Sequence, residues 1–171
     1  MPGALRIMSN YYKPGDRGRR SIRLRGFDYS QNAAYFVTLV TKNRQRFFGT
    51  IEDGEMMQSE AGVIAHNTWL AIPEYFPFVV LDEFIVMPDH MHGLLLFDKD
   101  LSQLEHSALH PQSRTLGSVV RGYKIRVTQR LRDTLGVSTI WQRDYYDIIV
   151  RSAEAMYRIR NYIRNNPRKG G

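Results

Sequence analysis

The sequence predicts an α+β fold, a single domain built on an antiparallel sheet with helices on one face and a last helix near the C-terminus. Three observations lead there. At 171 residues the chain has the size of one domain. Its apolar patterning runs strand, helix, strand, strand, helix, strand, helix, with no internal repeat and no linker long enough to separate two bodies. Two of the strands are separated only by Pro88 and Asp89, a joint that suits neighbouring antiparallel strands. Hydrophobic residues at 43% and charged residues at 24% are ordinary for a globular protein that buries a core, which excludes disorder for the bulk of the chain.

Each element has its own signal. The run Tyr35-Phe36-Val37-Thr38-Leu39-Val40-Thr41 is aromatic and β-branched and predicts a strand, after which Asn43 and Arg44 turn the chain. From Glu60 to Glu74, Val63, Ile64, Trp69, Leu70 and Ile72 recur at helical spacing, stopped by Pro73 and Pro77. Phe78 to Met87 and Met91 to Phe97 are the two joined strands. Asp98 to Thr115 is polar, holds His106, His110 and Pro111, and reads as a loop. Leu116 to Leu135 is a helix: Val120, Tyr123, Val127 and Leu131 form its packing face, and Arg121, Lys124, Arg126, Arg130 and Arg132 make its other faces basic. Ile140 to Val150 predicts a further strand. Ser152 then offers an N-cap, Glu154 suits the first turn, and Met156, Ile159 and Ile163 give the buried stripe of a helix that Pro167 ends.

Charge and cysteine content narrow the function classes. The net charge of +7 favours a polyanionic partner, because clustered cations release counterions when they bind phosphates; a solvated basic surface is the bland alternative. Residues 1–25 form a basic arm with Arg17, Arg19, Arg20, Arg23 and Arg25, ahead of a body spanning 26–171. The absence of cysteine removes disulfides and thiolate metal sites, so a metal would be held by nitrogen and oxygen. With neither a signal-peptide pattern nor a membrane-length apolar run, the expectation is a soluble, cytoplasmic protein without a membrane partner.

Two constellations can carry chemistry. His90 and His92 are two apart in a strand, so both imidazoles project from one face and Met91 from the other. Two neutral nitrogens can converge on a cation, although packing or hydrogen bonding also accounts for such a pair. Tyr162 and Asn166 are four apart on the last helix and share a face beside its buried stripe. They suit a cleft between helix and sheet; a half-buried packing tyrosine and a helix-ending asparagine are the plainer reading of the spacing by itself. Tyr123, in the packing stripe of its helix, is the alternative reactive tyrosine. Tyr145 and Tyr146 read as packing residues of which one can stack on a base, and His66, His106 and His110 lack a paired partner.

Taken together, Val86-Met87-Pro88-Asp89-His90-Met91-His92-Gly93, Trp141-Gln142-Arg143-Asp144-Tyr145-Tyr146-Asp147 and Tyr162-Ile163-Arg164-Asn165-Asn166-Pro167 resemble the HUH single-tyrosine transposases, the insertion-sequence-200-like enzymes, and most closely their REP-associated branch. The similarity runs in the family's order from about Arg20 to Pro167. It implies a ferredoxin-like domain, His90 and His92 as metal ligands, Tyr162 as nucleophile, and Asn166 as third ligand to Mg²⁺ or Mn²⁺. It also implies a DNA transposase or endonuclease that cleaves and rejoins single-stranded or hairpin DNA through a 5′-phosphotyrosine, as a monomer or homodimer. Two departures stand out: Asp89 occupies a position where the branch often has asparagine, and the sequence ends four residues after Pro167. Strand alternation leads one to expect Asp89 to point away from the histidine face. The basic residues Arg121, Lys124, Arg126 and Arg130, with those of the arm, are the expected DNA contacts. Alternative readings are an HUH nicking enzyme of replication or conjugation, and a non-enzymatic ferredoxin-like nucleic-acid binder.

Overall fold

Side chains on the first strand, β1 (Ala34–Val40), divide between two apolar clusters: Tyr35, Val37 and Leu39 enter one, Ala34 and Phe36 the other. Successive strand residues face opposite ways, so β1 is covered on both sides, which accounts for its unbroken apolar run. The computed structural model describes residues 33–98 and 114–169. The arm with Arg17, Arg19, Arg20, Arg23 and Arg25, and the loop histidines His106 and His110, lie outside the described residues.

Among the described residues a two-stranded hairpin, β2 (Gly49–Glu52) and β3 (Glu55–Gln58), stands apart from a four-stranded antiparallel sheet. That sheet contains β4 (Val79–Val86), β5 (His90–Phe97) and β6 (Tyr146–Val150), in the order β4-β5-β1-β6. Helices α1 (Glu60–Leu70) and α3 (Leu116–Leu135) cover the Tyr35 face, and α4 (Ala153–Arg164) packs Ile159 and Ile163 on the Phe36 face. The fold is therefore α+β, with two long helices on one face and the C-terminal helix on the other. Local chemistry sets the helix ends. The hydroxyls of Ser59, Thr115 and Ser152 accept from the backbone N–H groups of Gly62, Ser118 and Ala155, and Gly136 closes α3 at φ 69°.

Three expectations are corrected. The helix predicted over Glu60 to Glu74 breaks at Ala71, because Pro73 cannot continue it; Pro73 instead lies in the first turn of a short α2 (Ile72–Tyr75), where its missing N–H costs nothing. The strand predicted from Ile140 begins only at Tyr146. Before it, Trp141 makes one isolated bridge to Thr41, and the carbonyls of Gln142 and Asp144 turn to the Lys124 ammonium at 2.9 and 3.1 Å. The β2–β3 hairpin was not anticipated, although Asp53-Gly54 is its signal: both residues have positive φ, at 49° and 77°, the conformation a tight two-residue hairpin turn demands.

Two features position the site. Gly93 lets α1 approach β5, since a Cβ there would lie 2.1 Å from a ring carbon of Trp69. Between Leu81 and Phe84 the pairing of β4 shifts register. Within that irregularity Asp82 and Glu83 meet α4: Arg160 Nε donates to Asp82 at 2.8 Å and Arg164 Nε to Glu83 at 2.9 Å.

Candidate active site

Register places the two histidines where alternation requires. His92 pairs with Thr38 of β1 and Ile85 of β4, and His90 with Val40, all on interior strand β5. Both imidazoles belong to the face that α4 covers, and Met91 is wholly buried on the other. The two rings lie 4.8 Å apart between centroids.

Each ring is held at Nδ1. The Thr38 hydroxyl is 2.8 Å from Nδ1 of His92, and a carboxylate oxygen of Asp89 is 2.6 Å from Nδ1 of His90. This second contact corrects the expected orientation of Asp89. Residue 89 belongs to the β4–β5 turn, so strand alternation does not govern its side chain, while the Thr41 N–H grips its carbonyl at 2.9 Å. Arg44 reaches the other carboxylate oxygen at 3.4 Å from a turn in which Asn43 and Arg44 both have positive φ.

From the other side α4 presents Tyr162, whose hydroxyl lies 3.4 Å from Nε2 of His92. Its ring packs edge-on against His92 and Phe36, at 5.2 and 6.1 Å between centroids. Asn166 is not on the helix as expected: α4 ends at Arg164, and buried Asn166 lies in the turn beyond it, its N–H 3.2 Å from the Ile163 carbonyl, where it hydrogen-bonds the phenol. The two histidines, Tyr162 and Asn166 are thus gathered within one chain. Among the described residues no three His, Cys, Asp or Glu side chains form a metal-sized group; the Asn166 amide, against Tyr162, is a further oxygen donor on α4's side.

Electrostatics follow from burial. Desolvation, with His90 adding to it, pushes His92 well below the ordinary imidazole value, so it stays neutral with a lone pair available. Partial burial would raise Asp89, but its hydrogen bond to His90 and the Arg44 guanidinium win, holding the carboxyl below its usual value. Burial raises the Tyr162 phenol, and the Asn166 hydrogen bond opposes that rise.

The remaining candidates are elsewhere. Tyr123 is buried on the opposite face of the sheet, donates to the Ala65 carbonyl at 3.0 Å, and is pushed far up by desolvation, so it is a packing residue remote from the histidines. Lys124, expected on the DNA-binding surface, is instead turned onto the carbonyls of the 142–144 segment near the rings of Trp141 and Tyr145. Burial lowers its amine to about 8, against the pull of Asp144. Of the arginines on α3, Arg126 stacks on Tyr75 at 3.6 Å, Arg130 bonds the Thr68 hydroxyl at 3.3 Å, and Arg121 is exposed. All three are on the helix that covers the face away from Tyr162. His66 packs against Phe84, and Tyr145 is buried.

An uncharacterized protein of Haemophilus influenzae (strain ATCC 51907 / DSM 11121 / KW20 / Rd) is 36% identical over 170 residues, covering 94% of each chain. The chain belongs to the family of that protein. No family model matches it. Its fold is shared with a REP-associated tyrosine transposase whose structure was solved bound to a REP hairpin. The TM-score is 0.62 at 17% identity, over 87% of this chain and 74% of that one. A candidate transposase from Deinococcus radiodurans R1 matches with a TM-score of 0.50 at 19% identity, over 84% of this chain and 95% of the other. The α+β architecture of the Haemophilus-related chain is therefore the one found in these transposases.

Two contributors escaped sequence reasoning. Thr38 is legible only through the β1–β5 register, which no local pattern reveals. The Arg160 and Arg164 contacts had a signal, their four-residue spacing on one helix face, but their partners on β4 depend on a bulge.

Proposed function

We propose that the protein is a tyrosine transposase or endonuclease of the HUH type, which cleaves and rejoins single-stranded or hairpin DNA through a covalent 5′-phosphotyrosine. The observation that carries this reading is the Tyr162 hydroxyl 3.4 Å from Nε2 of His92, on a face where a second histidine and an amide converge. In the reaction, the Tyr162 oxygen forms a bond to phosphorus as the bond to the 3′ oxygen breaks. The phenolic proton leaves to solvent and the departing oxygen takes one up, giving a free 3′-hydroxyl. Ester replaces ester, so the reverse attack by a 3′-hydroxyl rejoins DNA without another energy source.

The donor set fits a divalent cation such as Mg²⁺ or Mn²⁺: two imidazoles held at Nδ1, and the Asn166 amide oxygen. When bound, such an ion supplies positive charge that polarises the phosphodiester. The chain's own residues do the positioning. Phe36 and His92 hold the Tyr162 ring, and Asn166 orients its hydroxyl and opposes the desolvation that disfavours the phenolate. The body from 26 to 171 carries this chemistry, and the arm, with exposed Arg121, supplies phosphate contacts.

Mass spectrometry of protein incubated with labelled hairpin DNA and Mn²⁺ tests the reading. DNA should be attached to the peptide containing Tyr162. Tyr162→Phe should bind hairpin DNA, keep its fold within about 1 kcal/mol, near the net worth of one hydrogen bond, and yield no adduct. Tyr123→Phe should retain the adduct. An adduct on any other tyrosine, or none from the unaltered protein, overturns the proposal, the latter in favour of a non-covalent nucleic-acid binder.

A further inference from the structure

We infer that Asp89 is a positioning residue that fixes His90 as the tautomer protonated at Nδ1, so that Nε2 carries the lone pair offered to a metal. This inference rests on the proposed role of His90 and His92 as ligands. An ionised carboxylate only accepts hydrogen bonds, so an imidazole nitrogen 2.6 Å from it has to carry the proton. In a neutral ring the other nitrogen is then bare. The two histidines differ in this respect. The partner of His92 is the Thr38 hydroxyl, which donates or accepts, so the contact holds the ring in place without dictating its tautomer. His90 has the carboxylate.

The carboxylate is preset rather than incidental. Thr41 holds residue 89 through its N–H, 2.9 Å from the Asp89 carbonyl, and its one hydroxyl proton is shared between that carbonyl and the Gln45 carbonyl, each at 2.8 Å. The left-handed turn at Asn43 and Arg44, a conformation few non-glycine residues adopt, brings the Arg44 guanidinium to the carboxylate oxygen that His90 does not use. With Asp89 side-chain exposure at 23% and that of His90 at 18%, the contact is shielded from competing water. Carboxylates behind a ligating histidine orient the ring and raise its basicity, and losing one typically weakens metal binding about 10–100-fold.

Long-range proton–nitrogen NMR on the metal-free protein reads the tautomer directly, and a Mn²⁺ titration followed by the free-ion paramagnetic signal reads its consequence. In the unaltered protein His90 should show the Nδ1–H pattern. Asp89→Ala should let it revert toward Nε2–H and weaken Mn²⁺ binding by about tenfold or more. Its urea midpoint should fall at neutral pH, as for any carboxylate held below its usual value, while the fold survives because the Thr41 contacts are to backbone. Asp89→Asn keeps an acceptor oxygen and should restore most of both signals. A parent His90 in the Nε2–H form, or an Asp89→Ala variant with unchanged tautomer and affinity, overturns the inference. A tautomer that responds to Asp89 in a protein taking up no Mn²⁺ supports the positioning role and instead overturns the metal reading.

Discussion

Single residues in this protein owe their chemistry to which face of the sheet they occupy. Tyr162 and Tyr123 both have phenols raised by burial, yet one hydroxyl meets an imidazole and an amide while the other is spent on a helix carbonyl. Burial alone therefore does not distinguish the two phenols; their polar neighbours do. Gly93, between the histidine pair and the core of β5, makes the same point sterically. Trp69 fills the space a side chain would need, so Gly93→Ala forces either the indole or the strand to move. The substitution should cost about 1–3 kcal/mol, the usual penalty for overpacking a core. Urea unfolding checks it, and an unchanged midpoint would mean that α1 is free to shift.

At the scale of elements, the placement of α4 decides whether a site exists. A narrow apolar stripe and two arginine–carboxylate pairs hold this helix over β4 and β5. Tyr162 stands between Arg160 and Arg164, so the pairs that fix the helix flank the residue that has to be positioned. The hydrogen bond from Arg160 depresses the Asp82 carboxyl below 3.8, against its partial desolvation. A carboxylate with a lowered folded-state pKa contributes stability that is complete above its unfolded value and is lost as pH falls from there through the folded value. Asp82→Asn should accordingly lower the urea midpoint at pH 7, with the difference from the parent closing below about pH 3.8. A gap that stays constant with pH would show that the pair contributes through packing alone.

On the scale of the whole molecule, the histidines and Tyr162 meet within one chain. Mixing His92→Ala with Tyr162→Phe should therefore yield no covalent adduct, because neither chain brings a complete set; recovery of adduct would show exchange of α4 between copies. The α3 arginines lie apart from the site. Arg121 and its neighbours ride on α3, on the far side of the sheet from Tyr162, so strand delivery to the tyrosine depends on other contacts. Removing residues 1–25 should reduce the salt dependence of single-strand binding by about 0.7 per lost phosphate contact. An unchanged slope would remove the arm from the interface.

The sequence by itself determined most of the elements and which side chains are candidates for the site. Alternation in β5 already set His90 and His92 on one face, because that relation depends only on backbone geometry a few residues long, whereas Asn166 reaches Tyr162 from the turn beyond α4 rather than through the helical period. Apolar spacing placed the helix Leu116–Leu135, and the Ser152 N-cap placed the start of α4, at their observed positions. Tertiary structure decided the rest. That α4 lies on the histidine face, that Thr38 stands opposite His92, that Asp82 and Glu83 meet the arginines through an irregular β4, and that Lys124 turns inward are consequences of register and packing between segments 18 to 81 residues apart. Asp89 shows the boundary most clearly. Alternation predicted its direction from its neighbours, but a turn residue takes its direction from whatever holds the turn, and here that is Thr41, 48 positions earlier in the chain.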